Sequence, residues 1–350
     1  MWQLDNRTPF AAGQCWIRDR RGAEVWLVVV HASFDIGEDG VLTVSKEQTL
    51  PLYVPEFRGE PGASSLRRDT DFVLEKHHTD VLLDGHACAP PGRTMSSLDV
   101  ALRVGSVQKV LRVFGDRTWG VIGPSEPTPF SQMPLTFERA YGGRSRRATK
   151  EVDDHYWPNP VGTGYAADAR EADEVALPNI ELPDALLRSW RDRPQPAGFG
   201  PIASHWQSRA VLAGTYGERW QEHEAPLLPS DLDPGFFQCA PPDQQAPGFL
   251  EGGEPVTLLN VTPSGRLDFA LPRMALELET RFHDGERRPG EAHLHTVLLQ
   301  PDALRVSLVW HAAQECHAKA YQLDHTRIGW SLAGETMSTK AAVENLLDLL

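Results

Sequence analysis

Histidine is the residue type in this chain best placed to do chemistry, and there are 13 of them. His293 and His295 stand two apart in a segment that reads as a strand, so both side chains project from one face. That is metal-ligand spacing, and His283-Asp284 lies in the preceding turn. A catalytic zinc takes three protein ligands and leaves one position open to water. These residues would just supply the three, so a metal-dependent hydrolase is one reading. The plainer reading is a pair of exposed or half-buried strand histidines. His77-His78 point to opposite faces of a strand and cannot share an ion. Cys316-His317 has no second close pair, and Asp153-Asp154-His155 sits in a polar loop where adjacent carboxylates are ordinarily solvated. No Walker-type phosphate loop, GxSxG, HExxH or EF-hand pattern occurs. Gly162-Thr163-Gly164 lacks the third glycine of a dinucleotide loop. The expectation is no catalytic residue, no metal and no cofactor: a binding protein and not an enzyme.

Binding would then fall to apolar and aromatic side chains. Ten tryptophans are many for 350 residues. Trp16, Trp26 and Trp310 lie in strand-like segments and read as core. Trp157, flanked by Tyr156 and by Pro158-Asn159-Pro160, lies in a loop region with Tyr165, so these three aromatics are candidate partner contacts. Val343, Leu346, Leu347 and Leu350 have the spacing of an amphipathic stripe on a helix over 341–350. Leu346 and Leu350 join the partner-binding candidates, although a stripe of this kind also docks on its own domain. Exposed tryptophans stacking on sugars would make a carbohydrate-binding β module, a further alternative.

The elements that must position these groups read as mainly β. The sequence carries 29 glycines and 28 prolines, an abundance that disfavours long helices. Strands are expected over 13–18, 23–36, 41–44, 98–104, 109–114, 274–282, 293–300 and 304–310, with tight turns at Asp19-Arg20-Arg21-Gly22, Gly37-Glu38-Asp39-Gly40 and His283-Asp284-Gly285-Glu286. Val25 to Val30 is apolar on both faces, which predicts a central strand covered on both sides. From Gly123 the periodicity fades among recurrent prolines, with a short helix expected over 184–191. Its aromatic residues predict an ordered loop region packed across the core. The fold expected is two packed antiparallel β subdomains or an elaborated β-sandwich, with long ordered loops and few short helices. The division is 1–122, an N-terminal β subdomain; 123–255, the loop-rich region; and 256–350, a β meander with the terminal helix.

A formal net charge of −14 repels phosphate backbones, so nucleic acid is not an expected partner. Arg144, Arg146, Arg147 and Lys150 are followed at once by Glu151, Asp153 and Asp154, a mixed-charge loop and not a phosphate groove. Four scattered cysteines without a CxxC pair suit reduced thiols. The first six residues carry no export signal, and the longest apolar run is far short of the ~20 residues a membrane helix needs. No membrane insertion is expected, and the localisation expected is cytoplasmic.

A series of loop signatures carries a family resemblance. Gly115-Asp116-Arg117-Thr118-Trp119 is followed by Pro129-Phe130-Ser131-Gln132-Met133-Pro134-Leu135 and by Phe137-Glu138-Arg139-Ala140-Tyr141-Gly142-Gly143. Then come Asn159-Pro160-Val161-Gly162-Thr163-Gly164-Tyr165, Leu177-Pro178-Asn179-Ile180-Glu181 and Gly198-Phe199-Gly200-Pro201-Ile202. Gly214-Thr215-Tyr216 with Trp220 and Ala240-Pro241-Pro242-Asp243-Gln244-Gln245 close the series, and Lys76 to Gly85, with Thr79-Asp80-Val81 inside it, precedes it. In this order, over roughly residues 1 to 310, the chain resembles a bacterial domain-of-unknown-function family met in type VI secretion gene clusters. The resemblance implies a cytoplasmic, non-enzymatic chaperone or adaptor. Its partner would be a type VI secretion effector, held through its N-terminal or PAAR-containing region and loaded onto the spike. It implies no catalytic residue.

Overall fold

The structure, a computed structural model, describes residues 2–120, 123–145, 154–173 and 175–332. The apolar run at 25–30 seeds the centre of the molecule. It lies in the Glu24–Ile36 strand, where every residue from Val25 to Phe34 is buried. This strand is flanked by Ala11–Arg18 on one side and Arg305–Glu315 on the other, followed by His293–Gln300 and Asp80–Leu83. Leu42–Val44 adds a sixth strand against Glu24–Ile36. All pairs are antiparallel except Asp80–Leu83, which runs parallel to His293–Gln300. Strands from before residue 122 and from after residue 256 thus lie side by side in one sheet.

Alternation along these strands gives the sheet two faces. Trp26, Val28, Val30 and Phe34 share one core with Val306, Leu308, Trp310, Val297, Leu299, Val81 and Leu83. Two further sheets contribute to that core. A four-stranded sheet (Gln3–Asn6, Leu323–Leu332, Met274–Phe282, Arg287–Gly290) supplies Met274, Leu278 and Ile328. A five-stranded sheet (Ile180–Glu181, Val107–Phe114, Ser97–Val104, Pro255–Leu259, Arg266–Ala270) supplies Val100, Leu102, Leu111, Val113 and Leu258. The Trp26 indole N–H donates to Thr326 Oγ1 at 3.0 Å, so its one polar atom is satisfied inside the core. The architecture is mainly β, built from several mostly antiparallel sheets that share one core, with no sheet closed into a barrel among the described residues.

Trp26 and Trp310 are buried as expected, while Trp16 is half-buried against both Trp26 and Trp2. The expected helix over 184–191 does not form; that stretch is turn and irregular chain. The cause is local competition for its amides. The Glu181 carboxylate accepts from Leu187 N at 2.7 Å, and Asp192 accepts from Arg188 N and Ser189 N at 2.9 and 2.8 Å. The α-helices described are short: Ala169–Ala172, Gln207–Ala210 and Glu218–His223. The stripe at 341–350, with Leu346 and Leu350, lies outside the described residues.

Candidate functional site

Four of the loop signatures converge on one open groove of about 490 Å³, lined by Asp116, Arg117, Glu138, Arg139, Thr163 and Asn179 among others. Its walls are cross-tied. The Arg117 guanidinium is buried, pairs with Glu181 and donates to the Pro178 carbonyl at 2.6 Å. It also lies 3.8 Å from the centre of the Phe114 ring. Asn179 accepts from Arg139 at 3.0 Å and donates to Asp116 at 3.0 Å and to the Phe114 carbonyl at 3.2 Å. The Glu138 carboxylate accepts from Ser65 N and Ser65 Oγ at 2.7 and 2.8 Å. Thr163 Oγ1 donates to the Glu138 carbonyl at 3.0 Å.

Behind the groove, backbone meets backbone. Tyr141–Gly142 pairs in parallel with Thr163–Gly164, and Asn159, fully buried, donates through Nδ2 to the Phe137 and Tyr141 carbonyls at 2.8 and 3.1 Å. Gly142 has φ +152°, and a Cβ there would sit 2.1 Å from the Asn159 carbonyl oxygen. Only glycine lets the two segments approach this closely. The result is a surface of guanidinium, carboxylate, hydroxyl and amide groups held in fixed positions, which suits recognition of another molecule.

A model of a family described as "Uncharacterized protein conserved in bacteria (DUF2169)" matches residues 21–311, a span that takes in every segment of the groove. The chain belongs to this family. No curated protein and no solved structure matches it. In this DUF2169 chain the loop signatures are therefore first of all packing devices, and they shape the groove by packing.

A second polar cluster lies on the other face of the six-stranded sheet. Lys76 Nζ donates to Asp80 Oδ2 at 2.6 Å and to Thr296 Oγ1 at 3.2 Å, with both ionic side chains buried. Asp80 also accepts from Cys239 N at 2.9 Å and Gln238 Nε2 at 2.8 Å. Burial works against the Lys76 charge, but the Asp80 carboxylate outweighs it and holds the ammonium above the usual lysine range. Burial pushes the Cys239 thiol well up, so it stays protonated and unreactive.

The histidine pair reaches this face in an unexpected way. The register with Arg305–Glu315 shifts between Leu294 and Thr296, which makes His295 the extra residue of a β-bulge. The His293 and His295 rings both lie parallel to Phe249, at 4.5 and 5.6 Å between centres, and His295 stacks on His311 at 4.5 Å. His283 pairs with Asp324 at 3.9 Å. Among the described residues no three His, Cys, Asp or Glu side chains are grouped to hold a metal ion.

The stack carries a pH consequence. Burial first, then the positive charge of Lys76, lowers the His311 pKa to about 4, and burial with the His311 neighbour takes His295 well below its ordinary value. The unfolded chain binds these protons near pH 6.5, so stability is full above that value and falls as pH drops through it. The loss from His311 alone is expected to reach about 3 kcal/mol at pH 4. Urea midpoints taken from pH 7.5 to 4 should fall steadily, and His311→Gln should flatten the slope. An unchanged slope in that variant contradicts the assignment.

Among the aromatic candidates, Tyr156 and Tyr165 are partly buried and tied into the loops. Tyr156 packs on Tyr141 and donates to the Pro194 carbonyl at 3.1 Å, and Tyr165 donates to Asp154 at 2.7 Å. Trp157 is 51% exposed, its ring against His155. Asp116, Arg139, Asn179 and the buried Lys76–Asp80 pair stand in the sequence only as parts of the loop signatures, with no role at a site assigned to them. An i,i+4 Lys–Asp pair heading the apolar run Val81-Leu82-Leu83 was the available signal.

Proposed function

We propose that this chain is a non-enzymatic, cytoplasmic adaptor or chaperone. It holds a type VI secretion effector, through the effector's N-terminal or PAAR-containing region, until loading onto the spike. The observation that carries this reading is the groove: long loops, costly to order, are locked into a rigid open surface. Long ordered loops of this kind are usually functional, and they suit a surface that grips another chain. An effector segment awaiting the spike must be held in place, and a pre-formed polar surface can hold it at low entropic cost. Four of the loop signatures that carry the resemblance to type VI secretion adaptors contribute to this surface.

The test is an affinity capture of the tagged full-length chain from host cells expressing the secretion system, read by mass spectrometry. One effector or PAAR-type protein should be enriched. Clean recovery of the chain without any such partner overturns the reading.

A further inference from the structure

The Ala11–Arg18 strand is the outermost of the six-stranded sheet and pairs with Glu24–Ile36 on one side only. Asp19 N donates to the Ala23 carbonyl at 3.0 Å, and from there the antiparallel register alternates. Cys15 and Ile17 therefore commit their main-chain groups to Glu24–Ile36, while Gln14, Trp16 and Arg18 turn theirs outward. Tyr53 marks that direction, since its hydroxyl donates to the Gln14 carbonyl at 3.2 Å. The outward N–H and C=O groups of Trp16 and Arg18 have no hydrogen-bond partner among the described residues. Beside them lies an open cleft of about 380 Å³, lined by Trp2, Trp16, Ile17, Arg18, Glu24 and Ala320. Trp2, 43% exposed, meets Trp16 edge to face with 5.8 Å between ring centres. Its indole N–H donates to the Ala320 carbonyl at 3.0 Å, and its own carbonyl accepts from Gln14 Nε2 at 3.2 Å. These bonds hold Trp2 at φ +56°, a left-handed conformation costly to a residue with a side chain. An apolar wall is thus fixed next to an unpaired strand edge. Arg18 is exposed and has no ion-pair partner among the described residues. Glu24 lies opposite it one strand further in, so Arg18 is the charge nearest to anything added at the edge.

We propose that an extended segment of another protein adds to Ala11–Arg18 as an antiparallel strand and lengthens the six-stranded sheet. Antiparallel pairing is the more stable per residue. The free main-chain groups of Trp16 and Arg18 bind the segment, and the side chains around them select it. Its residue opposite Trp16 is aromatic and packs on the Trp2 ring. Its residue opposite Arg18, two positions earlier, is a carboxylate that pairs with the free guanidinium. This edge is separate from the groove, and the inference stands whether or not the groove grips an effector.

The probe is a fluorescently labelled peptide of alternating threonine and valine, with one glutamate two residues before one phenylalanine. It is titrated against the full chain at physiological salt and followed by anisotropy. This peptide should bind, and the same peptide N-methylated at the glutamate and the phenylalanine should not, because it has lost the donors that face the edge. Arg18→Glu should weaken binding by about tenfold. The same variant should gain binding to a peptide with lysine in place of the glutamate, a gain that a misfolded chain would not show. Trp2→Ala should weaken the original peptide by about tenfold through loss of the aromatic contact. Failure of the wild type to bind the first peptide overturns the proposal, as does equal binding of the N-methylated one. An Arg18→Glu chain that keeps the wild-type preference overturns it too. So does a wild type that sediments as a dimer dissociated by Arg18→Glu, since a second copy would then hold the edge.

Discussion

Gly142→Ala is expected to destabilise the chain by about 4 kcal/mol, from backbone strain at a glycine-only φ together with overpacking. The added Cβ would meet the Asn159 carbonyl oxygen at 2.1 Å and the Asn159 side chain at 2.9 and 3.0 Å. None of these atoms can swing aside, because Asn159 is fully buried and its amide is committed to two carbonyls. The neighbouring Gly162 closes the other exit: a Cβ there would sit 2.4 Å from Asn159 Nδ2. Gly200→Ala is the control: nothing lies within 4 Å of a Cβ there, so the change should stay within about 0.5 kcal/mol. Urea denaturation of the three proteins measures both effects. Near-equal midpoints for Gly142→Ala and wild type would show that the loops are not interlocked.

Asp80→Asn is the second large loss, expected at about 3–5 kcal/mol because it strands a buried ammonium. Lys76 would keep only Thr296 Oγ1, at 3.2 Å, and the Cys239 sulfur, at 3.9 Å, neither able to balance its charge. The asparagine amide would also face the Cys239 and Gln238 donors that the carboxylate now accepts. Lys76→Met alone leaves Asp80 those donors but removes its counter-charge, so it too should destabilise. The double variant Lys76→Met/Asp80→Asn should cost less than the two singles together, with a coupling of about 0.5–3 kcal/mol, since most of each single loss is an orphaned partner. Strict additivity in chemical denaturation would count against the pair acting as a unit.

Sequence pattern reached the strands more surely than it reached the groove, and the reason is physical. Period-two alternation at Ser97–Val104 and the fully apolar run within Glu24–Ile36 report burial directly, so both strands could be read off. The stretch at 184–191 misled because helix propensity says nothing about Glu181 and Asp192 capturing its amides from outside. Strand parity puts His293 and His295 on one side, and both do stack on Phe249; the bulge that makes His295 an extra residue leaves no composition signal. Asp116, Arg139 and Asn179 come from three separate loop segments, and only tertiary folding shows that they share hydrogen bonds. Trp157, by contrast, was legible as a loop aromatic, and it is the one of the three loop candidates that stands out into solvent.

Ser33 and Ser307, 274 positions apart, face each other in adjacent strands of the central sheet. A ribosome must therefore add 274 further residues after Ser33 before it meets Ser307 and the Glu24–Ile36 strand gains Arg305–Glu315. Until then one of the most apolar segments of the protein waits without its neighbour, exposed to any other unpaired strand. Closing so long a loop is slow compared with local contacts.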